Sequence, residues 1–329
     1  MPNVAIVGAT GAVGQEFLKI FAERNFPVDE LRLLATKRSA GKKITWQGRE
    51  FEVEETTPQS FKNIDIALFA GGSASTVFAE AAVRSGAVVI DNSSAFRLDP
   101  EVPLIVPEVN PEDVKWHKGI IANPNCSTII ANVALKPIFD LAGIKRIVVS
   151  TYQAVSGAGR EGIEELEAQM KAMANGEEVV SEVFPYQIAS NLIPRIDVFQ
   201  EGDYTKEEWK MVKETRKIFH VPDMAITATT VRVPVFRSHS ESINIETQRK
   251  VSAAEVKEAL SKAPGVKVID DSAKDQYPMP FYTSDTDEVY VGRIREDYSI
   301  ANGLNIWVVG DQIRKGAATN AVQIAELLL

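Results

Sequence analysis

Gly8, Gly11 and Gly14 form the spacing G-x-x-G-x-x-G directly after the apolar run "NVAIV" (3–7). Beyond them, Val13, Phe17, Leu18 and Phe21 recur at helical spacing. A strand that passes through glycines into a helix constrains the fold strongly. The glycines permit a tight turn and let backbone amides approach a pyrophosphate, while the helix start adds partial positive charge. A glycine-rich turn without a ligand would show the same spacing, but the strand–turn–helix setting favours dinucleotide binding. The candidate cofactor residues are therefore Gly8, Thr10, Gly11, Ala12, Val13 and Gly14.

The next segments repeat the alternation. "ELRLLAT" (30–36), "NIDIALFAGG" (63–72) and "AVVIDNSS" (87–94) read as strands, with a helix through "SASTVFAEAAVRSG" before the last. Strands alternating with helices predict a Rossmann-type, doubly wound parallel sheet. At the end of the second strand, NAD-binding domains place an acid for the ribose 2′-hydroxyl. This chain has Thr36, Lys37, Arg38 and Ser39 there instead. Hydroxyls and cations suit a 2′-phosphate, so NADP is the expected cofactor, with Thr36, Arg38 and Ser39 as its contacts.

After residue 125 the pattern changes. "IKRIVVSTYQAVSG" (144–157), "AITATTVRVPVF" (225–236) and "SHSESINIET" (238–247) are long β-type runs, with helical segments at 159–174 and 205–219 between them. This predicts an α+β domain around a mixed, mostly antiparallel sheet. The expected organisation is a dinucleotide-binding domain over 1–125, completed by a C-terminal helix in 311–329, and a second domain over 126–310.

Composition bounds the function. A length of 329 residues suits two domains, and a net charge of −9 disfavours nucleic acid or an anionic membrane as partner. The first residues do not read as a signal peptide, and no apolar run of about 18 residues suggests a membrane span. One cysteine and three histidines make a structural zinc site improbable, so no metal is expected. The expected setting is cytoplasmic.

Cys126 is the only cysteine. Free cysteine is often plain core packing. Against that, Pro124 and Asn125 look like the start of a helix, whose first turn stabilises a thiolate. The residue also stands where the dinucleotide domain is expected to end, which suits a thiol facing a nicotinamide. Gln153, Arg232 and His239 are polar groups on otherwise apolar strands of the second domain. His117 and His220 sit at the ends of charged segments, which leaves His239 as the candidate acid or base. A thiolate combined with hydride transfer points to an acyl group or aldehyde that passes through a thioester or thiohemiacetal.

The segments "GATGAVG", "NSSAFR" (92–97), "VPEVN" (106–110), "NPNCST" (123–128), "TYQAVSGAG" (151–159), "RVPVFRSHSE" (232–241) and "GDQIRKGAATNA" (310–321) together resemble aspartate-β-semialdehyde dehydrogenase across essentially the whole chain. The resemblance implies NADPH-dependent reduction of L-aspartyl-4-phosphate to the semialdehyde, in lysine, threonine, methionine and diaminopimelate biosynthesis. It implies Cys126 as nucleophile, Gln153 as the residue positioning the acyl group, and His239 as general acid/base. Arg232 would clamp the substrate carboxylate, Arg97, Lys210 and Asn125 the phosphate, and Glu207 the amino group. Ser73, Gly157 and Gln312 resemble cofactor contacts. The second domain would be catalytic and dimerising, with a homodimer or dimer of dimers as the assembly. Read alone, Glu207 and Lys210 are three apart on a helix, which is equally the spacing of a plain ion pair.

Two alternatives share parts of this pattern. N-acetyl-γ-glutamyl-phosphate reductase performs the same chemistry on another acyl phosphate. A non-catalytic NADP-binding thiol sensor needs Cys126 but neither His239 nor Arg232. A tyrosine–lysine reductase fits poorly, because none of the seven tyrosines has a lysine four residues later.

Overall fold

A computed structural model describes residues 1–329. The chain divides into two compact units. Unit 1 comprises Met1–Asn125, Lys217–Phe219 and Ala317–Leu329; unit 2 comprises Cys126–Arg216 and His220–Gly316.

Unit 1 is built on β1 (Val4–Val7), β2 (Leu31–Ala35), β5 (Glu54–Glu55), β6 (Ile66–Phe69), β7 (Val88–Asp91) and β8 (Ile120–Ala122). They form one parallel sheet in the order β5-β2-β1-β6-β7-β8. A hairpin of β3 (Lys43–Trp46) and β4 (Arg49–Glu52) lies outside that sheet, and like β5 and β8 it is not foreseen in the sequence reading. The inner strands β1 and β6 are apolar on both sides because both faces are covered. Val4 and Ile6 point into a cluster with Phe17 and Phe21 of α1 (Ala12–Glu23) and with Val322 and Ile324 of the C-terminal helix Thr319–Glu326. Ala5 and Val7 point the other way, against Ala79 and Ala82 of α2 (Ala74–Arg84). The order turns outward in both directions from β1 and β6, so their carboxyl ends flank the switch point where open α/β sheets bind ligands.

Unit 2 holds a six-stranded mixed sheet in the order β10-β9-β11-β14-β13-β12. Its strands are β9 (Ile144–Gln153), β10 (Ala225–Arg232), β11 (His239–Thr247), β12 (Val266–Val268), β13 (Val289–Asp297) and β14 (Gly303–Gly310). The pairs β9–β10 and β12–β13 are parallel and the other three antiparallel. The period-2 pattern decides which side chains face inward. On β9 the buried row is Ile147, Val149, Thr151 and Gln153, and on β11 it is Ile245, Ile243, Glu241 and His239. Each row is apolar at one end and polar at the other, so polar chemistry collects at one end of the sheet. Helices α3 (Cys126–Ala142), α4 (Arg160–Asn175), α5 (Lys206–Ile218) and α6 (Ala253–Lys262) complete the unit. No helix is long and apolar enough to cross a membrane.

Candidate functional site

In unit 1 the glycine loop fills the turn between β1 and α1. Gly8 has φ +87°, and a side chain there would begin 3.1 Å from Ala70 Cβ. At Gly14 an added Cβ would lie 2.3 Å from the Gly8 carbonyl oxygen, so strand and helix meet at a distance only glycine allows. No side chain caps α1 at Gly11, which leaves its first-turn amides for an anion. Thr36 and Arg38 are exposed just beyond β2, while Ser39 is buried with its hydroxyl 3.4 Å from that of Thr10. Ser73 stands at the start of α2, just past β6. These groups fit a nicotinamide dinucleotide.

Arg97 also belongs to unit 1 and is buried. Its Nε donates to the Asn123 carbonyl at 2.9 Å and its Nη2 to that of Asn92 at 2.8 Å. Asn123 accepts from Asn320 at 2.7 Å and donates to the Asn92 side chain at 2.7 Å. An amide chain missed in the sequence thus braces the loop of Arg97. Asn125 is buried and ends the first segment of the unit.

Unit 2 begins with Cys126, which is the first residue of α3 and partly exposed. An added Cβ at Gly316 would lie 3.1 Å from the Cys126 Cβ. The adjoining strands β10, β9 and β11 bring Arg232, Gln153 and His239 to the same end of the sheet. Gln153 Nε2 donates to Glu207 Oε1 at 3.2 Å and lies 3.4 Å from His239 Nε2. The other end of that amide, Oε1, accepts from Thr151 Oγ1 at 2.9 Å. Glu207 Oε2 accepts from Lys210 Nζ at 2.9 Å, and the same ammonium reaches Asp197 Oδ2 at 3.2 Å.

Ala154 is the brace of this cluster. Its N–H donates to His239 Nδ1 at 3.1 Å, and its carbonyl accepts from Arg232 Nη1 at 2.6 Å. An imidazole whose Nδ1 accepts carries its proton on Nε2. Burial, reinforced by the Arg232 charge, pushes the His239 pKa down to about 3, so the ring is neutral. Burial also lowers the Arg232 pKa, with the charges of Glu207 and Cys126 acting in opposition. At Lys210 burial disfavours the ammonium, but Glu207 and Asp197 outweigh it and the pKa is raised. Beside the cluster lies a cavity of about 450 Å³ whose lining includes Phe184, Arg195, Asp197 and Arg232. Gly157 sits where a Cβ would come within 2.7 Å of Arg232 Nη1. Gln312 accepts from the Ser238 N–H at 2.9 Å and donates to Ser156 Oγ.

One residue in this cluster could have been found from sequence. Thr151 is two residues before Gln153 on a strand and so shares its face. Asp197 carries no such signal, because it lies in irregular chain at φ +68°. Outside the cluster, His117 accepts from the Gly119 N–H, and His220 is exposed with φ +56°.

The semialdehyde dehydrogenase NAD binding domain matches residues 3–117, and the semialdehyde dehydrogenase dimerisation domain matches residues 135–315. The aspartate-semialdehyde dehydrogenase of Aquifex aeolicus is 61% identical, with 99% of this chain and 98% of that protein covered. The chain belongs to the aspartate-semialdehyde dehydrogenase family. Among solved structures, aspartate semialdehyde dehydrogenase II of Vibrio cholerae, complexed with ASA, superposes with a TM-score of 0.97 at 49% identity. That match covers 100% of this chain and 98% of the other. The Candida albicans enzyme with NADP gives a TM-score of 0.75 at 26% identity, covering 100% and 98%. Family membership makes the chain an oxidoreductase with a nicotinamide cofactor and a small-molecule substrate. It also selects the aspartate reaction over its N-acetylglutamyl counterpart.

Proposed function

We propose that this chain reduces L-aspartyl-4-phosphate to L-aspartate 4-semialdehyde with NADPH, through a thioacyl intermediate on Cys126. The observation that carries this reading is the convergence of Gln153, Glu207, Arg232 and His239 in the unit that opens with Cys126. The start of α3 and the Arg232 charge favour a thiolate. The sulfur attacks the acyl carbon, the bond to the phosphate oxygen breaks, and phosphate leaves with the electron pair. The bound nicotinamide supplies the hydride. The carbonyl oxygen of the thioester becomes an alkoxide, which collapses to the aldehyde and returns the thiolate.

His239, neutral with its proton on Nε2, donates a hydrogen bond to that oxygen as its charge develops. The sequence of steps balances without a proton taken from or given to the ring. Arg232 grips the substrate carboxylate with a planar fork, and Glu207 takes the ammonium. Arg97, Lys210 and Asn125 serve the phosphate. Thr36, Arg38 and Ser39 serve a 2′-phosphate, consistent with the lack of an acid after β2. Ser73, Gly157 and Gln312 complete the cofactor contacts. The assembly is a cytoplasmic homodimer formed through unit 2, in keeping with the dimerisation-domain match.

The test is phosphate-dependent NADP reduction with aspartate semialdehyde, wild type beside Cys126→Ala. Turnover should vanish in the variant while NADP still binds. Turnover retained without the sulfur would end the thioacyl reading.

A further inference from the structure

We propose that Thr151 is a positioning residue that holds the Gln153 amide in place for the reacting acyl group. The inference rests on the proposed reaction, with Gln153 in the acyl-positioning role that the family resemblance implies. A long amide side chain keeps one place only where its partners hold it. Thr151 Oγ1 donates to Gln153 Oε1 at 2.9 Å. That leaves Nε2 to face Glu207 Oε1 at 3.2 Å and to lie 3.4 Å from His239 Nε2. Thr151 is 0% and Gln153 1% exposed, so solvent does not compete for the bond.

In the resting enzyme Glu207 and Thr151 hold the amide from its two ends. Once Glu207 binds the substrate ammonium, its hold on the amide is shared, and Thr151 remains the constant partner. The strand explains why this works: residues 151 and 153 share the buried face of β9, a strand paired on both sides. Thr151 touches no reacting atom in this scheme and acts only through Gln153.

The experiment uses the full-length enzyme and a double-mutant cycle of Thr151→Val and Gln153→Ala, with kcat expressed per titrated Cys126 thiol. Valine keeps the shape and the strand preference but has no hydroxyl. Thr151→Val should lower kcat about tenfold through the lost buried hydrogen bond, with KM for semialdehyde and phosphate within about twofold. Thr151→Ser should recover most of the rate, and Thr151→Val should cost nothing further on top of Gln153→Ala. A Thr151→Val kcat equal to wild type overturns the proposal, as does a Thr151→Ser kcat no better than that of valine. An equal loss in the Gln153→Ala background also overturns it. If the valine variant does not fold, Thr151→Ala takes its place in the cycle. An inactive wild type would instead defeat the proposed function itself.

Discussion

The backbone N–H of Ala154 donates to Nδ1 of the buried His239 across 3.1 Å, and so holds the ring neutral with its proton on Nε2. A second proton on Nδ1 would break that bond and put a cation beside Arg232 in a fully buried site. The neutral ring is left with an N–H on Nε2 to offer.

Nitrogen NMR of ¹⁵N-histidine-labelled enzyme should therefore show His239 as the neutral Nε2–H tautomer from pH 9 to pH 5. An imidazolium signal that grows in near pH 6.5 would refute the assignment. The same shift has a stability consequence. The unfolded ring takes its proton near 6.5 and the folded ring only near 3, so the unfolded state binds more protons below about 6.5. Stability consequently falls as pH falls through that window, by about 1.4 kcal/mol between pH 7.5 and 5.5. Urea unfolding at both pH values should show wild type losing more stability than His239→Gln, by about that amount.

Gly157→Ala tests the closeness of the cluster. The added methyl would stand 2.7 Å from Arg232 Nη1 and 3.3 Å from His239 Cε1. Arg232 must give way, so KM for the semialdehyde should rise about tenfold through the disturbed charged hydrogen bond. Thermal stability should change little, because Gly157 is exposed. An unchanged KM would mean that Arg232 has room to shift without penalty.

Arg232→Lys retains the charge but loses the fork that holds the Ala154 carbonyl and, in the proposed reaction, a substrate carboxylate. Steady-state kinetics should show kcat/KM reduced by about tenfold to a hundredfold. Recovery to within twofold would indicate that charge alone suffices at this position.

Asp197→Asn addresses the ammonium of Lys210, which Asp197 shares with Glu207. Removing one carboxylate from a partly exposed pair leaves the cation freer for phosphate. KM for phosphate in the oxidative direction should fall about threefold, with KM for the semialdehyde unaltered. A rise in the phosphate KM would show that Asp197 instead orients Lys210 for binding.

Much of this protein is written locally in its sequence. Strand–glycine–helix order and doubly apolar strands determined the parallel sheet of unit 1, because a strand buried on both faces must be apolar on both. The glycine loop, the missing acid after β2 and the lone Cys126 at a helix start could be read the same way. The hairpin β3–β4 and the strands β13 and β14 escaped, since short or half-polar runs lack a distinctive period. Tertiary structure alone decided the polar cluster. Glu207 and Gln153 are 54 residues apart, and Ala154 and His239 are 85 apart, so no local pattern links them. Strand register brings them together, and backbone groups of Ala154, invisible as a side-chain signal, set the proton position on His239. Composition cannot specify such a site, because its chemistry comes from which groups are buried side by side.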